Sequence, residues 1–145
     1  MAKPIRVLIA DDNARSRNGL RALLGAVRLS PSTAPRRGGH NETWPEVVVV
    51  GEAANGQEAV RQVAKCRPDV VLMDIRMPVM NGLEATQHIK SHWPEVKVIA
   101  LTMYGAYRAE ALAAGVDAVL IKGCPVEELF AAILNNGEPH PVPGC

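Results

Sequence analysis

In Pro68–Thr86, PDVVLMDIRMPVMNGLEAT, four apolar residues in a row, Val70 to Met73, run straight into Asp74. A loop with Pro78 follows, then a turn signal at Asn81-Gly82, and from Leu83 apolar residues return at helical spacing. An unbroken apolar run this short reads as a strand covered on both faces, the pattern of parallel sheets sandwiched by helices. Such a strand carries whatever follows it to the carboxyl edge of the sheet. Here that is a carboxylate.

The same alternation extends in both directions. Strands are expected at Ile5–Ala10, Val47–Glu52, Val70–Asp74, Val96–Leu101 and Ala118–Ile121, and helices at Ala14–Val27, Gln57–Cys66, Leu83–Trp93, Tyr107–Ala114 and Val126–Leu134. In the last helix Val126, Leu129, Phe130 and Ile133 make one apolar face. Asn55-Gly56 and Asn81-Gly82 stand where helices begin, and Gly115 where one ends. Repeated strand–helix units predict an α/β fold, a doubly wound five-stranded parallel sheet with helices on both faces. Ligands of such sheets bind outside the carboxyl ends of the strands.

Two stretches break the repeat. Arg28–Glu46, rich in Pro, Gly, Ser and Arg, reads as a long surface loop inserted into the domain 1–134. Residues 135–145, NNGEPHPVPGC, cannot continue the last helix and read as a linker-like or disordered tail.

Composition narrows the function classes. With 48 % hydrophobic but only 3 % aromatic residues among 145, the core must be built from Val, Leu, Ile and Ala. A net charge of +1 gives no reason to expect nucleic acid or an anionic membrane as a direct partner. The sequence holds no long apolar span and no signal-peptide pattern, and three cysteines without ligand spacing read as reduced thiols in a cytoplasm.

The strand ends carry the chemistry: Asp11-Asp12 after the first, Asp74 on the third, Thr102 after the fourth and Lys122 after the fifth. Clustered carboxylates repel one another and call for a hard divalent cation, for which oxygen ligands at a small site favour Mg²⁺. The cation keeps the carboxylates ionised, leaving one free to attack phosphorus, while a hydroxyl and an ammonium hold phosphoryl oxygens. Taken singly, each residue has a plainer reading. Asp11-Asp12 would cap a helix, Thr102 would be a strand-end hydroxyl and Lys122 a solvated charge. Their joint appearance at four strand ends favours the site. His88 and His92 read as a solvated helix face, Arg36-Arg37 as a solvated loop, and Met77, Met80 and Met103 as packing.

Together, VLIADDN (Val7–Asn13), GEAANGQEAV (Gly51–Val60), DVVLMDIRMPVMNGLEA (Asp69–Ala85), VIALTM (Val98–Met103) and AGVDAVLIKG (Ala114–Gly123) resemble the receiver domains of two-component response regulators. Within these CheY-like domains they are most similar to the subfamily with a LuxR/NarL-type helix-turn-helix output domain. The resemblance implies strand order 2-1-3-4-5, and a phosphorylated signalling domain rather than an enzyme acting on small molecules. It implies Asp74 as phosphoacceptor, supplied by a sensor histidine kinase or phosphotransfer protein, with Thr102 and Lys122 as the switch hydroxyl and phosphate-binding lysine. Mg²⁺ would be held by Asp12 and Asp74, by Asp11 through water, and by the backbone carbonyl of Arg76. Output would pass through the fourth helix, fifth strand and fifth helix, as a homodimer or by release of a DNA-binding domain outside this sequence.

The chain departs from the family pattern at Val119, where an aromatic switch residue is usual, and at Gly123, where a proline is common. The segment from Thr102 to Gly115 is short, so a shortened fourth helix is expected. Two other functions are weighed: a receiver-like scaffold that works without phosphate, and a Mg²⁺-dependent aspartyl phosphatase. Arg76 counts against the second, since it occupies the place of that mechanism's general acid.

Overall fold

The computed structural model describes residues 3–27, 46–103 and 105–134. Most of the stretch Arg28–Glu46, expected to be an inserted loop, lies outside the described residues with Arg36-Arg37, as do Tyr104 and residues 135–145. The chain runs β1 (Ile5–Ala10), α1 (Ala14–Val27), β2 (Val47–Ala53), α2 (Gly56–Cys66), β3 (Val70–Asp74), α3 (Gly82–His92), β4 (Lys97–Thr102), α4 (Arg108–Ala114), β5 (Ala118–Ile121) and α5 (Val126–Leu134). The five strands pair in parallel in the order β2-β1-β3-β4-β5, as expected. The order reverses between β1 and β3, which opens a crevice at their carboxyl ends.

Strand alternation divides the core in two. Leu8, Val71, Met73, Val98, Ala100 and Val119 face one way and pack under α2, α3 and α4. Val7, Ile9, Leu72, Ile99, Leu101 and Leu120 face the other way, against Leu24 of α1 and Leu129, Phe130 and Ile133 of α5. Val119 fills space beneath α4 as an ordinary core residue, buried with Ala111 and Val116.

Capping fixes where the helices start. Asn55 Oδ1 accepts the Glu58 N–H at 2.8 Å, Glu58 Oε1 accepts the Ala54 N–H at 3.2 Å, and Asn81 Oδ1 accepts the Glu84 N–H at 2.9 Å. Each such cap stabilises its helix by about 1 kcal/mol. The caps place both starts one residue earlier than periodicity alone suggests. Likewise, a bulge sets Val7 opposite Val49 but Leu8 opposite Gly51, so β2 takes in an extra residue and reaches Ala53. The fourth helix is short, entered through a 3₁₀ turn at Gly105–Tyr107 and ended by Gly115 at φ 107°.

Two helix starts also clamp the β3–α3 loop. Gly56 N–H donates to Met80 O and Gly82 N–H to Ile75 O, both at 2.8 Å. A Cβ at Gly56 would lie 2.3 Å from Met80 O, and one at Gly82 would lie 2.2 Å from Asp74 O. These neighbours are backbone and have nowhere to go. Gly82→Ala and Gly56→Ala are each expected to lower the unfolding free energy in urea by about 1–3 kcal/mol. Gly105→Ala, whose Cβ meets nothing within 4 Å, should change it little. Equal effects at all three positions would contradict the clamp.

Candidate functional site

Register explains which side chains meet. Ala10 pairs with Met73 and Asp74 with Leu101, so Asp11 and Asp74 sit at one level of neighbouring strands. By alternation Asp11 follows Ile9, Asp74 follows Leu72 and Lys122 follows Leu120, all on the face that packs against α1 and α5. Lys122 Nζ accordingly reaches both acids, at 3.0 Å from Asp11 Oδ2 and 3.1 Å from Asp74 Oδ2. Asp11 is 2 % exposed and Asp74 7 %. Thr102 is buried at the end of β4, and its carbonyl accepts the Lys122 N–H at 2.8 Å. The backbone N–H of Arg76 hydrogen-bonds the Asp74 carboxylate.

Asp12 is exposed beside this pair. One carboxylate oxygen from each of Asp11, Asp12 and Asp74 lies within 4.8 Å of the others. Three hard oxygen donors at that spacing fit a small divalent cation. Helix capping does not claim these acids, because Asn13 does that work. Its Oδ1 accepts from Arg15 N at 2.8 Å and Ser16 N at 3.2 Å. A shallow recess of about 590 Å³ opens next to Asp12, lined also by Arg76, Met77, Pro78 and Tyr107.

Burial pushes the Asp74 carboxyl above its usual range, outweighing the hydrogen bond and charge of Lys122, and the Asp11 charge adds to the rise. Lys122 is desolvated too, yet its bonds to Asp11 and Asp74 hold its pKa above the usual lysine value. The ammonium therefore stays charged between the two acids.

A family model for the response regulator receiver domain matches residues 42–134. The chain belongs to the response regulator receiver family. It is 37 % identical over 132 residues to the transcriptional regulatory protein LnrK of Bacillus subtilis, covering 90 % of this chain and 52 % of that protein. The chain thus spans about half the length of the curated relatives it matches. Among solved structures it is similar to the response regulator domain of Thermotoga maritima CheB (TM-score 0.73, 30 % identity, covering 90 % of this chain and 94 % of that one). It is also similar to a LuxR-family two-component response regulator from Aurantimonas (TM-score 0.74, 29 % identity, covering 95 % and 90 %).

In this receiver the loop after Asp74 carries an outlier. Val79 has φ 68° and is 77 % exposed, so a β-branched residue occupies left-handed backbone with no packing to offset it. Met77 and Met80 do pack against the core, but Met103, expected to pack, is 61 % exposed just beyond β4. His88 and His92 lie on an exposed helix face, with His92 Nδ1 2.9 Å from the His88 carbonyl oxygen. Among the described residues no cis peptide occurs, and Gly123 follows Lys122 at φ 88°. No described helix is long and apolar enough to cross a membrane. Sequence reasoning missed Arg17, which bonds both the Asp11 carbonyl and Glu52; Glu52 lies on another element and comes beside Arg17 and Arg21 only in the fold.

The raised Asp74 pKa makes a stability claim in metal-free buffer. Between the unfolded and the raised folded value, the folded state binds more protons than the unfolded one, so stability falls as pH rises through that window. Asp74→Asn, which removes the buried charge, is expected to raise the melting midpoint at pH 7 with chelator present. The gain should shrink as pH falls below the carboxylate range. A melting midpoint lowered at pH 7 would contradict this.

Proposed function

We propose that this receiver takes a phosphoryl group onto Asp74 from the phosphohistidine of a sensor histidine kinase or phosphotransfer protein. The observation that carries the reading is Lys122 Nζ within hydrogen-bond distance of both buried acids at the switch point of the sheet. An Asp74 oxygen attacks phosphorus, the P–N bond of the donor breaks, and the imidazole leaves with the electron pair and takes up a proton. Lys122 follows the incoming charge and pairs with a phosphoryl oxygen, and the Thr102 hydroxyl donates to another. Asp11, Asp12, Asp74 and the Arg76 carbonyl would hold Mg²⁺, which supplies neutralisation of charge on the transferred group.

Once Asp74 carries the phosphoryl group as an acyl phosphate, Lys122 and Thr102 are drawn to a new dianion. The bias they feel is passed to α4, β5 and α5 without a rotating aromatic ring, since Val119 stands in that place. The LuxR-type relatives support a transcriptional output through a DNA-binding domain outside this chain, with a homodimer across that face as one route. We further assign residues 1–134 to the receiver, 28–46 to an inserted loop and 135–145 to a linker, and place the protein in the cytoplasm.

A small acyl phosphate donor tests the reading by intact mass. One phosphoryl adduct is expected on the wild type with Mg²⁺, and none without Mg²⁺ or in Asp74→Asn. Lys122→Met should cut the yield at least tenfold. An adduct that survives in Asp74→Asn would overturn the assignment, and no adduct on folded wild type with Mg²⁺ bound would favour the scaffold reading.

A further inference from the structure

Asp12 differs from its two neighbours in how it is held. Lys122 bridges Asp11 and Asp74, whereas the Asp12 carboxylate is exposed and has no hydrogen bond or ion pair among the described residues. Its direction depends on the backbone it hangs from. That backbone is fixed on both sides of Asp11: the Asp11 N–H donates to Ala53 O at 2.9 Å, and the Asp11 carbonyl, part of the Asp11–Asp12 peptide, accepts from Arg17 Nη1 at 2.6 Å.

Arg17 is itself fixed. Its Nε donates to Glu52 Oε1 at 3.0 Å, and Arg21 pairs with the other Glu52 oxygen. The Arg17 side chain is only 18 % exposed, against 52 % for Arg21. Although burial alone would raise the Glu52 carboxyl, hydrogen bonds and charge from Arg17 and Arg21 hold it below the usual range, so the clamp stays ionised. One planar guanidinium thus spans a side-chain carboxylate on β2 and a main-chain oxygen at the end of β1. A lysine has a single nitrogen and lacks this preset fork.

We propose that Arg17, locked by Glu52, is a positioning residue for divalent-cation binding, fixing the Asp11–Asp12 peptide so that the Asp12 carboxylate faces the cation. This rests on reading the acidic cluster as a metal site. Groups that orient a ligand from outside the coordination shell typically carry 10–100-fold in metal affinity. Arg17 touches neither the cation nor the phosphoryl group, so its loss is felt in affinity and not in the transfer step at saturating cation.

The test is Mg²⁺ titration by calorimetry on the full chain, with the melting midpoint measured in parallel. Wild type, Arg17→Met, Arg17→Lys, Glu52→Gln and Arg21→Ala are compared. Arg17→Met is expected to weaken Mg²⁺ binding about tenfold, within the range for such groups, and Arg17→Lys to remain weakened. Arg21→Ala, which removes one of the two cations on Glu52 but leaves the Arg17 fork in place, should weaken the affinity less than Arg17→Met. At saturating Mg²⁺ the rate of phosphorylation of Arg17→Met by a small acyl phosphate should return to that of wild type.

Wild-type affinity in both Arg17 variants would overturn the clamp, as would a phosphorylation rate that stays depressed at saturating Mg²⁺. If Arg17→Met does not fold, Arg17→Lys and Glu52→Gln carry the test, and wild-type affinity in both again overturns it. A wild type that takes up no Mg²⁺ would instead remove the metal-site reading beneath it.

Discussion

Two acids at the buried end of a sheet repel each other, and the Lys122 ammonium between Asp11 and Asp74 is the contact on which the rest of the site depends. Removing a charge from water is costly unless it is paired. Here one cation serves two anions from a third element. The pairing is incomplete, because burial still lifts the Asp74 carboxyl above its usual range. Burial thus leaves the two acids short of positive charge, a state that favours added cations around Asp74. That shortage is consistent with the cation binding and phosphoryl transfer proposed for Asp74.

Everything around the pair keeps it rigid. Parallel register sets Asp11 level with Asp74, and packing on both faces leaves the strands no freedom to slide. Gly56 and Gly82 bring helix starts against the backbone of the β3–α3 loop at distances no side chain allows. By contrast, the groups that would meet a partner or carry the signal outward stand in the open. Val79 and Met103 are exposed beside the site, and α4 is a seven-residue helix tied to the sheet by small alanines. Dense packing around Asp74 and exposed groups beside it suit the phosphorylation-driven switching proposed above.

Local pattern carried much of this. The bounds of β1, β3, β5, α1 and α5 could be read from apolar runs and helical spacing alone. The four strand-end residue sets were legible because a parallel sheet gathers strand ends at one edge, whichever order its strands take. Where reading by pattern slipped, a specific hydrogen bond was responsible. Val96 looks like strand, but its N–H bonds Trp93 O and its carbonyl accepts from Lys90, so β4 begins one residue later. The β2 bulge falls at Val50-Gly51, where the four-valine run ends, and only the glycine hints at it in the sequence. Arg17 was missed because its partners, the Glu52 carboxylate and the Asp11 carbonyl, meet it only in the fold, and in the sequence it looks like any solvated arginine.

We assign the role of nucleophile to the Asp74 carboxylate and to no other acid of the cluster. Borohydride reduces an aspartyl phosphate to homoserine, which marks the acceptor in the wild-type chain. Phosphorylated protein, reduced and then sequenced by peptide mass spectrometry, is expected to carry homoserine at position 74 alone. Homoserine at position 11 or 12, or its absence from a protein that had gained phosphate, would contradict the claim.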